Sequence, residues 1–290
     1  MDPMVNIALR AARRAGQMIL RSMDRVDTLQ IQEKGRNDLV TEVDLEAEDI
    51  IVDTIQKAYP DHDIVGEERG SRAPGEAPPE SKAELGPLGD VPAPRVSWIV
   101  DPLDGTTNFV HGIPHFCTSI AVTRGATLLH GVVVDHVRNE EFAASRGAGA
   151  RLNGRRIRVA TRDRLDDTII AGGLPFASVA THIDTYTDVL KVFMSRCRTL
   201  RRQGSAALDL AYVAAGRLDG FFELGLKSWD TAAGAVIVRE AGGFVGDAAG
   251  GDRFLATGNV VAANPRLFRA MLRVIRATSE ANGDAALAQG

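Results

Sequence analysis

Asp101-Pro102-Leu103-Asp104-Gly105-Thr106-Thr107-Asn108 follows directly on the apolar run Val96-Ser97-Trp98-Ile99-Val100. The run reads as a buried strand, so the octet sets two carboxylates, a glycine and two hydroxyls at a strand end. Burying an unpaired charge is strongly unfavourable. A divalent cation would offset that penalty, and hard cations such as Mg²⁺ prefer oxygen ligands. The octet therefore points to a metal site before anything else in the chain is read.

The rest of the composition is ordinary. With 290 residues the chain can bury one large core or two closely packed halves. It is 44% hydrophobic and 25% charged, values of a soluble globular protein. A net charge of −4 gives no support for membrane binding or strong general nucleic-acid affinity. Cys117 and Cys197 read as reduced, buried thiols, with no Cys-His metal spacing. No signal peptide or membrane span is read, so the expected location is cytoplasmic.

Apolar spacing predicts helices over Met4–Met23 and Glu42–Tyr59, the second capped by Thr41 and followed by Pro60. Six of the twelve prolines fall between Ser71 and Arg95, which reads as a mobile surface loop. Ser119–Thr123, Leu128–Asp135 and Glu141–Ser145 read as an antiparallel meander, and Gly147–Asn153 as turn chemistry. Strands follow at Thr168–Ala171, Gly220–Glu223, Phe244–Gly246 and Val260–Ala262. Helices are predicted at Asp184–Arg196, Ala206–Ala215, Thr231–Ala241 and Pro265–Ala277, with a frayed tail beyond.

Two further acidic elements flank the octet. Gly66-Glu67-Glu68 follows Ile64-Val65, and Trp229-Asp230-Thr231-Ala232-Ala233-Gly234 precedes a helix. Alone, the first would be a solvated turn and Asp230 an N-cap. Together, in this order, the three elements resemble the inositol monophosphatase family, over roughly residues 4 to 275. The proline-rich segment looks like an insertion, and Arg69 stands where many members have a small residue. The opening Met1–Arg13 and the stretch Arg202–Tyr212 are similar to a bacterial branch of that family.

The resemblance implies an α/β fold, the layered αβαβα sandwich of the sugar-phosphatase superfamily. It implies an α+β N-terminal half over residues 1–158, with most metal ligands, and an α/β C-terminal half over 159–290. Glu67, Asp101 and the Leu103 carbonyl would hold one Mg²⁺, and Asp101, Asp104 and Asp230 a second. Asp44 and Thr106 would activate water. Gly105, Thr106 and Thr107 would begin a helix whose N–H groups face the phosphate. Gly204, Ser205, Ala206 and Glu223 would take the alcohol half of the substrate, with Glu68 behind the metal and Lys34 near the phosphate.

The implied activity is Mg²⁺-dependent hydrolysis of myo-inositol monophosphate or a similar small polyol phosphate. Fructose-1,6-bisphosphate and a nucleotide 3′-phosphate are alternative substrates. The bacterial branch also implies a regulatory partnership with NusA and the ribosomal RNA antitermination machinery, and family members are commonly homodimers. His111 and His115 read as structural or surface residues, because Mg²⁺ disfavours imidazole. Arg196, Arg198, Arg201 and Arg202 read as a solvated face that could also serve a partner.

Overall fold

The first layer follows from apolar spacing at its N-terminus. The computed structural model describes residues 2–26, 29, 31–35, 38–72, 95–173 and 179–283. Helix α1 (Pro3–Met23) starts on Asp2, whose Oδ1 accepts the Met4 N–H at 2.8 Å. Its buried stripe of Val5, Ala8, Ala11, Ala12, Ala15 and Ile19 is mostly small, which lets the helix lie close to its neighbours. A short hairpin, β1 (Ile31–Gly35) with β2 (Asp38–Thr41), runs into α2 (Glu42–Ala58). The two helices pack on each other and cover one face of a large sheet.

Among the described residues that sheet has eight strands. β3 (Asp63–Gly66) pairs with β4 (Gly70–Arg72) on one side and runs parallel to β5 (Val96–Asp104) on the other. After α3 (Thr106–Val110), an antiparallel meander follows: β6 (Cys117–Arg124), β7 (Thr127–Asp135), β8 (Glu140–Ser145), β9 (Gly149–Leu152) and β10 (Arg155–Arg156). The meander agrees with the sequence reading. The region read as turns around Gly147–Asn153, however, contains β9 and the start of β10 lies just beyond it. Both are short and carry exposed arginines, so no apolar alternation marks them; β9 is defined by its pairing with β8, and β10 by its pairing with β9.

A second sheet of five strands follows. β11 (Ile169–Ala171) leads to α4 (Val179–Arg196), β12 (Thr199–Arg201), α5 (Ala206–Ala214), β13 (Gly220–Glu223) and α6 (Ser228–Glu240). β14 (Phe244–Gly246), α7 (Phe254–Thr257), β15 (Val260–Ala263) and α8 (Pro265–Ala281) complete it. β11 runs parallel to β12 and β13, whereas β15 is antiparallel to β13 and β14. Helices α5 and α6 lie between the two sheets, and α4 and α8 close the outer side. The layers are α, β, α, β, α, in the order expected from sequence.

Position in the stack explains composition. α6 is buried on every side from Thr231 to Val238 because sheets cover both of its faces, while α8 keeps an exposed polar stripe. Contact at the centre is close. A Cβ on Gly131 of β7 would come within 2.3 Å of the Ala233 carbonyl oxygen, so only glycine lets α6 lie flat on the sheet there. α8 runs four residues past the predicted end. The proline-rich segment (73–94) lies outside the described residues, as does the Lys34 side chain. No described helix is long and apolar enough to cross a membrane.

His136 supplies a pH test of the first layer. Its Nε2 lies 2.8 Å from Thr118 Oγ1, and burial lowers its pKa from 6.5 to about 4, outweighing the opposing pull of Asp135 and Glu141. The unfolded chain therefore binds the extra proton first as pH falls, and stability is lost between about pH 6.5 and about pH 4. Chemical denaturation across that window is expected to show a loss of on the order of 2–3 kcal/mol that is absent from a His136→Gln variant. Identical pH profiles for the two proteins would refute this.

Candidate functional site

The site is built at the end of β5. Side chains three apart on a regular strand point to opposite faces. Asp101 and Asp104 escape that rule because the pairing with β6 slips: Asp101 lies opposite Ser119 and Asp104 opposite Cys117, three steps against two. The bulge brings the two carboxylates toward one side. Both residues belong to β5 itself, at its C-terminal end. Asp101 is 1% exposed, and its Oδ1 accepts the Leu103 N–H at 3.0 Å.

Glu67 and Asp230 join them from other elements. Glu67 follows β3 and donates its N–H to the Val100 carbonyl at 3.1 Å. Asp230 sits in the first turn of α6, tied to the large sheet by Ser119 Oγ donating to the Trp229 carbonyl at 3.1 Å. Asp230 is not the N-cap that its position suggested. The helix begins earlier, with Lys227 as N-cap, and Asp230 Oδ2 accepts the Lys227 N–H at 2.7 Å. Burial and repulsion from Glu67, Asp104 and Asp230 hold Asp101 well above the usual carboxylate range. Burial, with Asp104 and Glu67, does the same to Asp230.

Asp104 is raised to about 6 by burial, moderated by the donors around it. Its Oδ2 accepts from Ser205 Oγ and from the Ala207 N–H, each at 2.7 Å, and Cys117 Sγ lies 3.8 Å away. Buried oxygens that repel one another are a donor set suited to a hard divalent cation. Among the described residues, no three His, Cys, Asp or Glu side chains form a ready-made cage. Mg²⁺ needs none, because it retains several waters and takes only a few carboxylates.

Asp44 and Thr106 come together beside this cluster. Thr106 Oγ1 lies 2.8 Å from Asp44 Oδ1 and 3.0 Å from the Leu103 carbonyl oxygen. The other carboxylate oxygen, Asp44 Oδ2, accepts from the Thr41 N–H at 2.8 Å and from Thr41 Oγ1 at 2.5 Å. This capping box at the start of α2 fixes the Asp44 rotamer while leaving one oxygen to Thr106.

Sequence reasoning missed Glu48. Fully buried one turn after Asp44, it accepts the N–H groups of Glu68 and Arg69 at 2.8 and 3.1 Å. It thereby shapes the turn that carries Glu67. The available signal was its four-residue spacing from Asp44 beside the inward residues Val43, Ala47 and Ile51. Glu68 contributes its backbone to that turn. Asp209 and Gln203 were also missed: Gln203 Nε2 donates to Asp209 Oδ1 at 2.6 Å, and burial raises Asp209 to about 8.

Glu223 ends β13, buried, and is held well above its usual range by burial and by Asp209, Asp230 and Asp104, with Arg202 opposing. It therefore stands close to the acidic cluster. Gly204 and Ser205 lead into α5 and, through Ser205, reach Asp104. His111 is exposed and His115 buried against Tyr212. Arg198 pairs with Asp167 at 2.6 Å on an exposed face.

Known proteins resemble this chain along nearly its whole length. Nus factor SuhB of Escherichia coli (strain K12) is 48% identical over 276 residues, covering 95% of this chain and 97% of that protein. A crystal structure of extragenic suppressor protein suhB from Bartonella henselae superposes with a TM-score of 0.85 at 39% identity, covering 95% of this chain and 99% of that one. Inositol monophosphatase from Anabaena (Nostoc) gives 0.77 at 30% identity, covering 94% of each chain. Residues 1–281 match the inositol monophosphatase family as a whole, and the chain belongs to that family.

Proposed function

We propose that this phosphatase-family chain is a Mg²⁺-dependent phosphomonoesterase that hydrolyses myo-inositol monophosphate to inositol and phosphate. The observation that carries the reading is the Asp44–Thr106 hydrogen bond beside the mutually repelling Asp101, Asp104 and Asp230. Glu67, Asp101, the Leu103 carbonyl, Asp104 and Asp230 would hold Mg²⁺. When bound, the metal supplies charge stabilisation to the phosphoryl oxygens and a lowered pKa for water.

The chain's own residues do the rest. Thr106 Oγ1, donating to Asp44, offers its lone pair to the attacking water and aims that water at phosphorus. As the water oxygen bonds to phosphorus, its proton passes to Thr106, and the Thr106 proton moves to Asp44 Oδ1. The ester P–O bond breaks, and the departing alkoxide takes a proton from solvent. The N–H groups of Gly105, Thr106 and Thr107, at the start of α3, receive the phosphate. Glu223 and the Gly204–Ser205–Ala206 loop accept and donate hydrogen bonds to the polyol hydroxyls.

A phosphate-release panel over myo-inositol monophosphate, fructose-1,6-bisphosphate and a nucleoside 3′-phosphate, each with Mg²⁺ or with chelator, tests the assignment. Preference for the inositol ester with loss in chelator is expected. A preference for either of the others overturns the substrate assignment, and full activity in chelator overturns the metal.

The identity with Nus factor SuhB favours a second reading, binding to NusA within the antitermination machinery. Retention of NusA in a pull-down with Asp101→Asn protein is expected, separating binding from catalysis. No binding by the wild-type protein would remove this role.

A further inference from the structure

Asn108, the last residue of the octet, has no part in the proposed chemistry, yet both hydrogens of its buried amide are engaged. Nδ2 donates to the His115 carbonyl at 2.7 Å, closing the loop after α3. It also donates to the Gln203 carbonyl at 2.8 Å, across 95 residues of chain and into the loop before α5. Gln203 is gripped from its other end, where its Nε2 donates to Asp209 at 2.6 Å. Asp209 is itself buried in the first turn of α5.

The loop between these two grips is the one that reaches Asp104. Gly204 adopts φ +83°, and a Cβ there would meet Asn108 Nδ2 at 3.0 Å, so the loop passes directly against the amide. Ser205 Oγ and the Ala207 N–H then both converge on Asp104 Oδ2 at 2.7 Å. Those donors occupy one oxygen of Asp104 and fix the orientation of the other. A shift of the loop would move Asp104 and the Gly204–Ser205–Ala206 donors together.

We propose that Asn108 and Asp209 are positioning residues that hold Gln203 from both sides, and so set the loop that orients Asp104 and receives the alcohol half of the ester. The second half of this statement rests on the phosphatase reading; the clamp itself does not. The donor character of Asn108 is essential to it. Asp at that position would face two carbonyl oxygens with acceptors only. At Asp209 the requirement is an acceptor, which asparagine also provides.

Two readouts test the clamp. The first is amide hydrogen exchange of the 203–208 segment by mass spectrometry, in wild type, Asn108→Ala and Gln203→Ala. Breaking either grip is expected to raise exchange there on the order of ten-fold, with distant strands unchanged. The second is steady-state phosphate release with varied Mg²⁺. Substrate KM and the Mg²⁺ concentration for half-activation are expected to rise about ten-fold while kcat at saturation moves less than about three-fold. Asp209→Asn is expected to recover most of the loss caused by Asp209→Ala.

Unchanged exchange at 203–208 in both folded variants overturns the clamp whether or not the wild type hydrolyses phosphate esters. Faster exchange in a wild-type background without phosphatase activity would uphold the clamp and overturn the phosphatase reading. Should Asn108→Ala not fold, Gln203→Ala decides, because it removes only the Asp209 grip and keeps the backbone carbonyl. Equal losses in Asp209→Asn and Asp209→Ala would overturn the role given to Asp209.

Discussion

Asp101→Asn should lower phosphate release by about 10³-fold or more while leaving the protein folded, because removing one shared carboxylate forfeits several kcal/mol of charge stabilisation. The change is nearly isosteric, and the amide oxygen can still accept the Leu103 N–H now held at 3.0 Å. Burial with Glu67, Asp104 and Asp230 already disfavours the Asp101 charge. Neutralising it should therefore raise the melting temperature measured in chelator and shrink the rise that Mg²⁺ produces. Opposite signs for activity and for stability without metal are the signature of a ligand, since a purely structural acid would lose both. Near-wild-type turnover of the folded variant would end its assignment as a ligand.

Thr106→Val should cut kcat by about 10²–10⁴-fold, the range for a lost proton-transfer group, with little change in KM. Valine keeps the shape of threonine and removes only the hydroxyl that lies 2.8 Å from Asp44 Oδ1. Asp44→Asn should produce a loss of similar size. The two groups act on one proton, so the double variant should fall scarcely further than either single one. Losses that multiply in the double-mutant cycle would separate the residues, and unchanged kcat in Thr106→Val would remove the pair from the chemistry. The Thr41 bonds to Asp44 Oδ2 give the pair its stiffness, and Thr106→Val leaves them in place.

Much of the scaffold was legible because periodicity is a local signal. The α1 stripe, the β6–β8 meander and the continuous apolar run of α6 each follow from residue spacing. The start of α6 was less so. Asp230 resembles an N-cap when read alone, yet at the third helical position it accepts the Lys227 N–H, and sequence cannot separate two registers that differ by a turn. β9 and β10 were invisible for a different reason: their polar residues become strands only because β8 offers an edge to β9, and β9 in turn to β10.

The site divides along the same line. The sequence by itself determined the family, the layered sandwich and five of the acids, because Asp101 and Asp104 at a buried strand end, together with Glu67 and Asp230 in that order and Glu223 at a strand end, form a pattern that folding alone does not require. Tertiary structure alone decided how those acids meet. The β5 bulge turns Asp101 and Asp104 to one side, Glu48 holds the turn bearing Glu67, and the loop around Gln203 returns to Asp104 from a hundred residues away. The physical reason is that each of these is a long-range hydrogen bond or a slipped register. Such features depend on which backbone groups the finished fold leaves facing one another, and local spacing records at most which side chain is buried, never what it meets.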